Sequence, residues 1–244
     1  ENLLRNYGMD RIVTLPFDKK MQSTPWEDFL EELRRDFGAG GFVCGEDFRF
    51  GAMGTGTASL LQDYCEKEGL PCAVVPEQEM SGVRISSTYI RELLTQGRMA
   101  EADTFLGHPH VLSGTVVSGR HLGRTLGIPT ANLHLPEGVI VPRFGVYACR
   151  ALAEGRAYPA VTNVGTRPTV GGHHITVEPW LLDYDGDLYG KKITLEFLDF
   201  LRPEQKFDSL EDLKAAILKN AEQTREIVKL KASPPGELAG RSPD

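Results

Sequence analysis

The hydrophobic pattern of this chain changes period once, at Gly107–His110, where a proline stands between two histidines. Before that point short apolar runs alternate with helical stretches, which favours an α/β layer with parallel strands. After it come short alternating runs broken by Gly, Pro and Asp, the pattern of a small antiparallel barrel. A chain of 244 residues is long enough for two cores. Two domains are therefore expected, over 1–106 and 107–231. Residues 232–244, ending in SPPGELAGRSPD, have almost nothing to bury and are expected to be disordered.

In the first part, Arg11–Leu15 reads as a short strand. Thr24, Pro25 and Glu27 supply an N-cap, a first-turn proline and a capping-box acid for a helix with Trp26, Phe29, Leu30, Leu33 and Phe37 on its apolar side. Gly41–Cys44 and Cys72–Val75 read as strands, and between them Ser59–Glu68 reads as a helix closed near Gly69. A further helix runs from Ser87 to Gln96 and a shorter one to Leu106. Gly51, Gly54 and Gly56 follow no strand of the dinucleotide-binding kind and read as a flexible flap. In the second part, strand-like runs cover 111–117, 146–153, 157–164, 175–182 and 192–200. Ser209 with Asp212 then opens a last helix, with Leu210, Leu213, Ile217, Ala221, Thr224 and Val228 on one face.

Composition narrows the function classes. A net charge of −7 argues against a general nucleic-acid binder, which needs surplus Lys and Arg to displace counterions. The four cysteines show no CxxC spacing, which suits a reduced, cytoplasmic protein. No run approaches the roughly 18 apolar residues of a membrane span, and the first residues lack the pattern of a signal peptide. Neither His108 with His110 nor the pair His173 and His174 has a Cys or acid at ligand spacing, so no zinc site is expected. Partners are expected to be small molecules, with oligomeric state left open.

The stretch GRTLGIPTAN, Gly123 to Asn132, carries the chemistry. Glycines let backbone N–H groups approach a polyphosphate, and a threonine hydroxyl reaches a Mg²⁺ that bridges phosphate oxygens. The Walker pattern occurs nowhere in the chain. Arg120 and Arg124 can offset phosphate charge, or serve as solvated loop arginines; the spacing leaves both readings open. Together with FGVYA (144–148), NVGTRPTV (163–170), TVE (176–178) and GDLYGK (186–191), the stretch resembles the riboflavin kinase domain of prokaryotic bifunctional flavin synthetases.

That resemblance implies a six-stranded antiparallel barrel with a C-terminal helix, and attack of the ribityl hydroxyl of riboflavin on the γ-phosphate of ATP. It makes Glu178 the general base and gives Thr130 and Asn132 to Mg²⁺ and the phosphates. It implies an ATP site of Gly119, Arg120, Gly123, Arg124, Gly127, Thr130 and Asn132, with the flavin ring against the last helix and the loop Arg202–Phe207. Periodicity alone puts Thr176, Glu178 and Trp180 on one strand face, so a solvated glutamate is the other reading of Glu178.

A second resemblance covers the first part. GEDFRFG (45–51) and RISSTYIRELL (84–94) are similar to two motifs of the FMN adenylyltransferase domain that precedes riboflavin kinase in those proteins. It implies a Rossmann-like nucleotidylyltransferase domain, here incomplete, with Gly45, Asp47, Arg49, Arg84, Ser86, Ser87, Thr88 and Arg91 binding nucleotide and flavin. Hydroxyls and free N–H groups at a helix start, with an arginine one turn on, suit an anionic group. The family's HxGH pair is not among the six histidines, and Thr57 stands where an acid is expected. The chain is read as beginning part-way into the family's usual length. FMN formation is therefore expected from these residues, and FAD formation is not. The competing readings are a non-catalytic flavin- or nucleotide-binding regulatory module, and an unrelated nucleotidylyltransferase with a barrel appended.

Overall fold

The computed structural model of the chain describes residues 4–5, 7–118, 127–169 and 172–231, with side chains described outside 167–174. The expected disorder of 232–244 lies outside these residues. The chain divides into two compact units, one up to Ile85 and the other from Ser86 onward.

In the first unit α1 (Lys19–Ser23) is capped by the Asp18 carboxylate, which accepts from the Met21 N–H at 2.8 Å. The Thr24 hydroxyl donates to the Lys20 carbonyl and so belongs to the end of α1. The next helix, α2 (Trp26–Phe37), thus starts from Pro25 with no side-chain cap, and the expected capping box does not form. Strand β1 (Phe42–Gly45) is followed by the short β2 (Arg49–Phe50) and β3 (Gly56–Thr57), then α3 (Ala58–Glu68) and β4 (Cys72–Val75). Helix α3 runs from a Thr57 cap to a left-handed Gly69, and crosses over to bring β4 parallel to β1, Phe42 opposite Cys72. Leu30, Phe50, Leu61 and Cys65 form the core of this unit, with Trp26 edge-on to Phe50 at 6.2 Å. A minor hairpin, β5 (Glu79–Met80) with β6 (Val83–Arg84), follows.

Two further expectations fail in this unit. Arg11–Leu15 forms no strand: it is mostly exposed and no strand pairs with it among the described residues, so its backbone groups have no ladder to join. The glycine stretch is no free flap either. Gly51 has φ +71°, and a Cβ there would lie 2.5 Å from Cα of Trp26, while the Ala52 N–H donates to the Thr24 carbonyl at 2.7 Å. The loop is clamped beneath the start of α2.

The second unit opens with α4 (Ser87–Gln96) and α5 (Met99–Leu106), ended by left-handed Gly97 and Gly107. Six strands follow: β7 (His110–Val117), β8 (Asn132–His134), β9 (Gly145–Ala153), β10 (Arg156–Thr169), β11 (Gly172–Leu181) and β12 (Lys192–Arg202). They pair antiparallel in the order β11-β10-β9-β12-β7-β8. The Ala131 N–H donates to the Pro179 carbonyl at 2.8 Å, joining the two ends of the sheet into a nearly closed barrel. Strand β8 is the one that periodicity does not single out, since three residues are too few to show alternation.

Inside the barrel Leu112, Tyr147, Val164, Val177, Ile193, Leu195 and Phe197 are buried. Each such side chain contributes about 1.5–3 kcal/mol relative to exposure. Leu93, Leu94, Met99 and Ala102 of α4 and α5 belong to the same core, which is why this compact unit begins at Ser86 and not at the change of period. The last helix, α6 (Leu210–Leu230), starts at a Ser209 cap and packs on the outside of the barrel through Ala221, against Val146, Val161 and Leu182. Asn220 and Thr224 are buried with it, whereas Leu210 is 63% exposed and does not share the packed face.

Candidate active site

The barrel seam gathers the residues expected to do chemistry. In β11, Val177 and Leu181 point into the core, so alternation turns Thr176, Glu178 and Trp180 to the outer face. Across the seam Ala131 and Leu133 pack inward, which turns Asn132 outward as well. Thr130 and Asn132 flank Ala131, and Glu178 is next to Pro179, so the seam hydrogen bond sets the three close together on either side of one joint. The outer face is not open there. Trp180 lies opposite Val161 and packs with Leu182 and Leu201 around Ala221 of α6, and Glu178 itself is half-buried.

A cavity of about 290 Å³ opens beside the seam, lined by Pro129, Thr130, Pro179, Leu181, Tyr184 and Leu188 among others. Asn132 and Glu178 are not in its lining. Its outer wall is the turn after β11, tied down by charge. The Tyr184 hydroxyl donates to Glu154 at 2.9 Å and the Lys191 ammonium to the same carboxylate at 2.6 Å. The Lys191 contact holds the Glu154 carboxyl below its ordinary range. From α6, Arg225 donates to Asp183 at 2.7 Å.

Opposite Glu178 in the β10–β11 ladder stands Asn163, whose side-chain amide donates to Glu204 at 3.3 Å. Arg202, at the end of β12, donates through Nε to Asn220 at 3.0 Å and lies over the Phe207 ring at 5.4 Å. Burial pulls its guanidinium below the ordinary value. Two register shifts in β12, after Phe197 and after Phe200, turn this arginine toward the helix. Of the expected nucleotide residues, Gly127 sits in a turn with φ +72°, while Gly119, Arg120, Gly123 and Arg124 lie outside the described residues.

Residues 106–228 match the family model for riboflavin kinase and residues 1–89 that for FAD synthetase. The bifunctional riboflavin kinase/FMN adenylyltransferase of Escherichia coli strain K12 is 39% identical over 226 residues, which is 92% of this chain and 72% of that one. The chain belongs to the bifunctional riboflavin kinase/FMN adenylyltransferase family. The family member from Bacillus subtilis strain 168 is 31% identical over 91% of this chain and 71% of its own. Among solved structures, that of a macrolide-efflux protein from Streptococcus pneumoniae superposes with a TM-score of 0.79 at 32% identity, covering 94% of this chain and 73% of that one. Among the described residues no helix is long and apolar enough to cross a membrane.

The motif residues of the family's adenylyltransferase part fall on both compact units. Gly45 ends β1, Asp47 follows in the turn and Arg49 is exposed on β2. Asp47 accepts from Arg84 at 3.0 Å, and Arg84 also pairs with Glu77. These groups border a cavity of about 240 Å³ with Pro76 and Ile85. In the second unit Ser86 is the cap of α4 and accepts from the Tyr89 N–H at 3.2 Å, with Ser87, Thr88 and Arg91 exposed on the first turns. Thr57 has a local task, as the cap accepting from the Leu60 N–H at 3.2 Å. The residues to which sequence reasoning gave no individual role are Asn163, Gly165 and Glu204, the last of them within the loop Arg202–Phe207 expected beside the flavin ring. The first two sit in a quoted motif without a role, and nothing local in the sequence ties Glu204 to a strand forty residues earlier.

Proposed function

We propose that residues 107–231 transfer the γ-phosphate of ATP to the 5′-hydroxyl of riboflavin, giving FMN and ADP, and that residues 1–106 are the adenylyltransferase part of an enzyme of flavin-cofactor synthesis. The observation that carries this reading is the seam hydrogen bond, which brings Thr130 and Asn132 beside Glu178. Glu178 takes the proton from the 5′-hydroxyl as its oxygen bonds to the γ-phosphorus. The bond from phosphorus to the β-phosphate oxygen breaks, and ADP leaves.

The Thr130 hydroxyl and the Asn132 carboxamide are neutral, hard oxygen donors, which fits Mg²⁺ carried on ATP, an ion that keeps water and phosphate oxygens as most of its ligands. Such an ion, when bound, would draw charge from the phosphates. We assign the adenine ring to the cavity beside Thr130, whose Pro179, Leu181 and Tyr184 walls suit a flat base and whose size stands near the lower end of ligand pockets, about 300 Å³. All four cysteines are free thiols, in keeping with a cytoplasmic location.

The test is incubation of the chain with riboflavin, ATP and a series of divalent metals, followed by chromatography. FMN formation dependent on Mg²⁺ is the expected result. Flavin and nucleotide binding without FMN under every metal would leave the non-catalytic module in its place.

A further inference from the structure

A carboxylate of the loop Arg202–Phe207, Glu204, lies near the base and was given no role of its own in the sequence. Asn163 and Glu178 are directly opposed in the antiparallel ladder, which puts their Cα atoms about 4.5–5.5 Å apart with both side chains on the outer face. Two residues on, and on the same face, Gly165 stands opposite Thr176. A Cβ at Gly165 would fall onto the carboxylate of Glu204, 2.8 Å from its Cδ. The absence of a side chain at Gly165 is thus what lets Glu204 lie down on the strand, where Asn163 donates to it at 3.3 Å.

Glu204 reaches this place from a rigid support. The residue two before it, Arg202, is fixed to α6 through Asn220 and to its own loop through the Pro203 carbonyl at 3.2 Å and the Phe207 ring. Pro203 sets φ for the step between them. Glu204 is exposed, so its carboxylate is open to a ligand while Asn163 and the support at Arg202 hold it over the strand.

On the reading that this barrel phosphorylates riboflavin, we propose that Glu204 and Asn163 are specificity-determining residues which hold the secondary hydroxyls of the ribityl chain and so align its terminal hydroxyl with Glu178. The chemistry of the patch matches a neutral polyol. An ionised carboxylate offers only acceptors, and a carboxamide offers both donors and acceptors. Vicinal hydroxyls can donate to the first and exchange with the second. A flavin whose side chain lacks those hydroxyls would leave both groups without their partners, a strong basis for rejection.

The experiment uses the full chain and two flavins, riboflavin and an analogue whose N10 side chain is a 5-hydroxypentyl group. Binding is followed by quenching of flavin fluorescence and turnover by FMN-type product. The wild-type protein is expected to prefer riboflavin in kcat/KM, and Glu204→Ala to lower kcat/KM for riboflavin about 10- to 100-fold while leaving the analogue nearly unchanged. Gly165→Ala, which displaces the carboxylate without removing it, should give the same loss of discrimination. A wild-type protein that phosphorylates both flavins equally, or a Glu204→Ala protein that slows both by one factor, overturns the assignment and leaves the kinase reading standing. A wild-type protein that neither binds nor phosphorylates riboflavin overturns both.

Discussion

Single side chains at the seam make separable contributions. Replacing Glu178 by Gln keeps its size and hydrogen-bonding reach but removes the base. Turnover should fall about 10²- to 10⁴-fold with riboflavin and ATP affinities close to wild type, as measured by steady-state kinetics beside fluorescence titration. Full turnover in that variant would leave Glu178 with its other reading, a solvated glutamate on the strand face. Thr130→Ala should act on the other partner, raising the KM for Mg²⁺–ATP and leaving riboflavin binding in place. Thr130 borders the cavity whereas Glu178 does not, so the two variants should differ in which substrate they affect.

Elements were legible in the sequence wherever their own residues specify them, and less so where a neighbour does. The Thr57, Ser86 and Ser209 caps and the left-handed glycines at 69, 97 and 107 act within a few residues, and the helices they bound match the periodic pattern closely. Arg11–Leu15 has strand-like residues, yet a strand needs a ladder partner, which no local pattern supplies. Strand β8 is the converse, too short to show a period and defined by its pairing with β7 and the closure onto Pro179. The site divides the same way: Thr130, Asn132 and Glu178 lie in short recognisable motifs, whereas Glu204 meets Gly165 only once β10 and β12 are folded. The Ser209 cap offers a test at this scale. Its hydroxyl accepts from the Asp212 N–H at 3.0 Å and donates to the Asp212 carboxylate at 2.6 Å. Ser209→Ala should lower stability by about 0.5–2 kcal/mol in urea unfolding. It should also weaken riboflavin binding, because α6 carries Asn220, to which Arg202 is fixed.

The molecule as a whole joins barrel stability to pH and two chemistries to one chain. Half-buried His110 has a ring nitrogen 3.0 Å from the Ile140 carbonyl, which makes that nitrogen the N–H donor. Burial holds its pKa below the usual 6.5, with His108 adding repulsion. An unfolded chain therefore binds the proton first as pH falls. This contribution to stability is full above about pH 6.5 and is lost as pH drops through the lower folded value. Urea unfolding across that interval should show the decline, and His110→Gln should flatten it; an unchanged slope would assign the decline to other groups. The last prediction separates the chemistries. GEDFRFG and RISSTYIRELL keep groups suited to anions, but none of the six histidines stands in the HxGH pair that stabilises a transferred adenylyl group. Adenylyl transfer is mainly positioning and charge stabilisation, so binding can persist where turnover is lost by orders of magnitude. These 244 residues should make FMN from riboflavin and ATP, and convert FMN to FAD far more slowly. Supplying an HxGH-bearing segment upstream should switch on FAD formation while the FMN rate stays nearly constant, because the kinase groups Thr130, Asn132 and Glu178 all belong to the barrel unit. A rate of FAD formation from the 244 residues that equals their kinase rate would mean that another group takes over the histidines' task.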